Sequence, residues 1–67
     1  MNNLTFRQFF DIAKANGVEI TFIDKNFCHL HHRSKHIHKY INVYEIDALM
    51  SDEAFRDLYS FLNRIHN

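Results

Sequence analysis

The 67-residue chain carries eight Lys/Arg against eight Asp/Glu, is 46% hydrophobic and 15% aromatic, and has one Cys, one Gly and no Pro. A neutral sum excludes bulk electrostatic attraction to nucleic acid and acidic mimicry of it, and the aromatic content excludes a solvated, disordered chain. One small domain over residues 1–67 is expected. Such a domain buries only roughly 60% of its unfolded surface, so a partner or a second copy adds stability.

The start of the chain reads as a helix from Leu4 to Asn16. Thr5 and Gln8 form a T-x-x-Q capping box, and Leu4 and Phe9 occupy the positions of a hydrophobic staple. Phe6, Phe9, Phe10 and Ala13 recur at helical spacing and predict one apolar face. Gly17 stands where a left-handed residue ends a helix, with Lys14 in the last turn. Arg7 and Asp11 interrupt the apolar residues here, which argues against a signal peptide, and no apolar run reaches the roughly 18 residues of a membrane span.

Val18 to Ile23 alternates apolar with polar residues and predicts a strand. Asp24, Lys25 and Asn26 read as a three-residue hairpin loop with Asn26 left-handed. The loop pairs Phe22 with Cys28, Ile20 with Leu30 and Val18 with His32 on the apolar face. It sets Ile23, Thr21 and Glu19 opposite Phe27, His29 and His31 on the other. A four-residue turn over 33–36 then opposes His31 to His38 and His29 to Tyr40, keeping Ile37, Ile41 and Val43 on the apolar face. Cys28 falls on that face as a buried structural thiol, and a single cysteine forms no intrachain disulfide, so a cytoplasmic location is expected.

From Asp47 the pattern turns helical again. Asp47 or Ser51 caps, a short turn covers 48–50, and Asp52 and Glu53 favour the positive end of the helix dipole. Phe55, Leu58, Leu62 and Ile65, with Phe61 beside them, make the apolar stripe. The fold class predicted is a two-layer α+β domain of order α-β-β-β-α, with a three-stranded antiparallel sheet and both helices on one face.

The opposite sheet face carries the unusual chemistry. Residues 27–44 hold five of the six histidines, three aromatics, and Arg33, Lys35 and Lys39 without a carboxylate. Three readings follow. His29, His31 and His38 stand at strand spacings from which imidazoles can converge on Zn²⁺, Ni²⁺ or Cu²⁺, with Glu19 orienting a ring. Their spacing matches no zinc motif, however, and no metal or cofactor is assigned. Aromatics flanked by Arg33 and Lys35 are also a means of stacking RNA bases and holding phosphates. Third, an open face with Ile23, Phe27, Tyr40 and Tyr44 is more apolar than a small monomer exposes and suits a protein partner, or a second copy as a homodimer.

The order α-β-β-β-α in under 70 residues, with a first helix ending in Ala13-Lys14-Ala15-Asn16-Gly17, resembles the double-stranded-RNA-binding fold and the compact HicA-type RNase toxins built on it. Those toxins carry a Gly-Ser-His on the second strand with the histidine catalytic. This chain has Phe27-Cys28-His29 there, so the glycine and serine are missing and His29, His31 and His32 compete for the histidine's place.

No catalytic triad, carboxylate dyad or phosphate loop can be placed. The sequence therefore leads to a non-enzymatic protein that docks through Phe27, His29, His31, Arg33, Lys35, His38, Tyr40 and Tyr44. Its most concrete version is a small inhibitor from a phage or mobile element aimed at a host nuclease or defence complex, such as an anti-CRISPR. RNA binding or RNase activity, and metal binding by the histidine cluster, are the alternatives.

Overall fold

The structure, a computed structural model, describes residues 3–66. Its elements are α1 (Phe6–Ala15), β1 (Val18–Phe22), β2 (Phe27–His32), β3 (His38–Asn42) and α2 (Asp52–His66). The strands form one antiparallel sheet in the order β1-β2-β3, so the α+β class and the element order are those predicted.

The start of α1 is satisfied from two directions. Thr5 Oγ1 accepts the backbone N–H of Gln8 at 3.1 Å while Gln8 Oε1 accepts that of Thr5 at 2.9 Å, closing the capping box. The next orphan donors are met by the segment preceding α2: Arg7 N–H donates to the Ile46 carbonyl at 2.8 Å and Phe6 N–H to that of Ala48 at 3.3 Å. Leu49 bridges Thr5, and Arg7 grips Asp47 with Nε at 2.6 Å and Nη2 at 3.2 Å. Asp47 is therefore a counter-ion for α1 and not a cap for α2. The cap is Ser51, whose Oγ accepts the Ala54 N–H at 3.1 Å. The turn expected over 48–50 sits earlier, closed by Ala48 N–H on the Glu45 carbonyl, because Leu49 is extended against Thr5.

Gly17 ends α1 at φ 87°, the left-handed conformation. A second constraint acts there: a Cβ would stand 2.7 Å from His32 Nε2. His32 belongs to the apolar face by register, yet its ring lies over this glycine and its Nδ1 accepts the Ser34 N–H at 3.1 Å. A histidine is accommodated on that face because its polar edge faces the turn.

The register of both hairpins is the predicted one, with Val18↔His32 through Phe22↔Cys28 and Phe27↔Asn42 through His31↔His38. The first turn differs in detail. Ile23 and Asp24 both donate to the Phe27 carbonyl, the Asp24 side chain accepts the Lys25 N–H, and no residue other than glycine has positive φ among those described. Asn26 is therefore not left-handed, and its carbonyl accepts the Val43 N–H at 2.7 Å.

The core comprises Phe9, Phe10 and Ala13 of α1, Val18, Cys28 and Leu30 of the sheet, Val43 and Met50, and Leu58, Phe61, Leu62 and Ile65 of α2. Each fully buried Leu or Phe stabilises the fold by roughly 1.5–3 kcal/mol before chain entropy is counted. Phe10 of α1 meets Phe22 edge-on at 6.3 Å, and Lys39, which shares a face with Leu30, pairs with Asp57 of α2 at 2.9 Å. Phe22 remains 47% exposed at its sheet edge, although its register position is on the apolar face. No helix among the described residues is long and apolar enough to cross a membrane.

Candidate functional site: the histidine and aromatic sheet face

The backbone ladder determines which side chains meet. His32 N–H donates to the Ile37 carbonyl and Val43 N–H to that of Asn26. Hydrogen-bonded pairs therefore alternate with close, non-hydrogen-bonded ones at His31/His38, His29/Tyr40 and Phe27/Asn42. In such pairs Cα atoms approach to about 4.5 Å and side chains stand nearest. All three project to the face away from Cys28 and Leu30.

What results is a run of stacked rings. Phe27 lies on Tyr40 with centroids 5.5 Å apart and planes 9° from parallel. Tyr40 stacks on His29 at 4.4 Å and 20°, and His29 on His31 at 5.1 Å and 17°. His38 meets both His29 and Tyr40 edge-on. Tyr40 is still 50% exposed and Ile23, beside the run, 56%. The platform is thus ordered by its own contacts and open to solvent.

The imidazoles are linked in pairs. His29 Nε2 lies 3.3 Å from His38 Nδ1, one ring donating and the other accepting. His31 Nε2 lies 3.1 Å from Glu19 Oε1, the partner that the register predicts. His31 Nδ1 is shielded from solvent and has no partner. His29 binds its proton more weakly than a free imidazole, chiefly because burial disfavours the charge and secondarily through repulsion from His31 and His38. The three rings do not converge. Among the described residues no group of three His, Cys, Asp or Glu can hold a metal ion, because His31 is turned to Glu19.

A groove of about 540 Å³ opens beside the platform, walled by His29, His31, His38 and Tyr40 and by Arg33 and Lys35 of the turn. A larger depression, about 740 Å³, lies over the capping Ser51 and over Glu53, Asp57 and Ser60 of α2, the solvated face of one helix.

Seven of the eight residues singled out from the sequence meet here: Phe27, His29, His31, His38 and Tyr40 in the platform, and Arg33 and Lys35 at the groove. Lys35 lines the same groove, but its ammonium donates to the Ile65 carbonyl at the C-terminal end of α2, where a cation completes the helix. Tyr44 lies beyond the end of β3, 78% exposed, and joins no ring contact among the described residues. Lys39 leaves the basic cluster altogether for Asp57. Sequence reasoning missed Ser34 and His36 as groove residues. The Ser34–His32 bond that shapes the turn is a short-range side-chain to backbone contact, readable from the spacing only once His32 is known to point inward. No protein-family model matches this chain, and neither a curated protein nor a solved structure does.

Proposed function

We propose that this chain is a non-enzymatic binding protein that docks the β2/β3 face on a protein partner and blocks the partner's working surface. One observation carries the reading: the Phe27–Tyr40–His29–His31 stack is ordered before any partner arrives and yet half-open to solvent. Rigid aromatics lose little side-chain entropy on binding, and their polar edges remain satisfied in a wet interface. Ile23 extends the platform with an apolar side chain, and Arg33 supplies a charged rim. Small size and a single open face fit an inhibitor of the kind mobile elements direct at host nucleases or defence complexes, such as an anti-CRISPR.

The test pairs wild type with the Tyr40→Ala/His38→Ala variant in affinity capture and then measures the affinity of the captured protein. Loss of binding with the fold intact supports the face as the interface, and unchanged affinity refutes it.

RNA binding is the second reading, favoured by the groove in which Arg33, Lys35 and His36 adjoin the stacked rings. Phosphate contacts make affinity fall steeply with salt, whereas a platform of stacked rings docked on protein depends on it weakly. An RNA gel shift and cleavage assay at two salt concentrations separates the two readings.

A further inference from the structure

We propose that His29 Nε2 and His38 Nδ1 form a two-imidazole pincer for a tetrahedral divalent metal, zinc by preference, on the open sheet face.

Imidazole nitrogens about 2.0–2.1 Å from a tetrahedral zinc stand about 3.3–3.4 Å apart, whereas cis ligands of a square-planar or octahedral ion stand nearer 2.8–3.0 Å. The two nitrogens here are 3.3 Å apart. The pair is diagonal in the ladder, so the rings meet edge-to-face at 5.3 Å and 75° and do not stack against each other. That attitude turns two ring nitrogens toward one another, as shared ligation requires.

The surroundings hold the pincer in place. Tyr40 stacks on one side of His29 and His31 on another, which holds the His29 ring, and the exposed His38 ring abuts Tyr40 edge-on. His31 is committed to Glu19 and supplies no third ligand. The protein therefore gives two of four positions, and water fills the others. This is an open site of modest affinity, unlike a closed structural zinc. Metal binding here does not depend on the docking reading.

The experiment is a zinc titration of the untagged chain by calorimetry, repeated with Co²⁺ to read the visible bands of tetrahedral coordination, on wild type, His29→Ala, His38→Ala and the exposed control His66→Ala. Expected are one saturable zinc per chain in wild type and in H66A, and a rise in melting temperature with zinc in both. H29A and H38A should each lose affinity by more than the about 10–100-fold that removing an outer partner costs, with no zinc-dependent melting shift. The melting curve without metal establishes that each variant is folded. Wild type without saturable zinc binding, or H29A and H38A binding as wild type does, would overturn the site and leave an N–H···N hydrogen bond between the rings.

Discussion

His29 Nε2 lies 3.3 Å from His38 Nδ1 even though the register sets His38 opposite His31 and Tyr40 opposite His29. The diagonal contact follows from Tyr40 stacking on His29 and from Glu19 drawing His31 away. The same arrangement gives the face two properties: a preformed aromatic platform and a pair of opposed ring nitrogens. Each rests on β2 and β3 being held in one register by the core beneath them.

That dependence separates core from face. Leu30 is fully buried at the centre of β2, so Leu30→Ala should cost about 2–5 kcal/mol, a large part of the stability of so small a domain. Tyr40→Ala removes a half-exposed ring and should cost only about 0.5–1.5 kcal/mol. Urea unfolding of the two variants checks the contrast, and equal costs would show that the face is part of the core.

Gly17 is held by two requirements at once, a φ of 87° and the His32 ring. Gly17→Ala should destabilise by more than about 1 kcal/mol and disturb the 33–36 turn, since His32 must move and its bond to the Ser34 N–H goes with it. Thermal melting, with the Ser34 amide shift as a local reporter, tests both effects.

Arg7 holds the Asp47 carboxyl below the usual carboxylate range, chiefly through their hydrogen bond and then through charge. A depressed folded-state pKa contributes stability above the unfolded value near 3.8 and loses it as pH falls through the folded value. Wild type should therefore lose stability in acid more than Asp47→Asn does, and the two curves should converge below the folded pKa. Both side chains are well exposed, so the difference should shrink in high salt.

Burial pushes the Cys28 thiol above its ordinary pKa, and the side chain has no solvent exposure. Its labelling by a thiol reagent at neutral pH should follow global opening, slowed in proportion to stability and abolished as a fast phase. Rapid labelling of the native chain would place Cys28 outside the core.

The fold was legible because its signals are local or periodic. The Thr5/Gln8 box, the terminating Gly17 and the period-two alternation of Val18–Phe22 and Phe27–His32 each determine a conformation without tertiary help. Register followed from keeping Leu30 and Ile41 on one face. What escaped depends on contacts far apart in sequence. Asp47 looks like a cap until Arg7, forty residues away, is brought beside it. Lys39 looks like part of a basic cluster until α2 presents Asp57, and Lys35 until α2 presents its last carbonyls. Asn26 looks like a left-handed turn residue until β3 brings Val43 to its carbonyl. In the site, strand spacing determines which imidazoles are neighbours but not where their nitrogens point, and that is why the three rings the spacing would let converge form two separate pairs instead.

The most direct test of the docking face is the affinity of a captured protein partner for wild type and for Tyr40→Ala/His38→Ala, measured at two salt concentrations with melting curves alongside. The variant should remain folded while its affinity falls at least about tenfold, as loss of interface anchors entails, with weak dependence on salt. A folded variant that binds as tightly as wild type would contradict it.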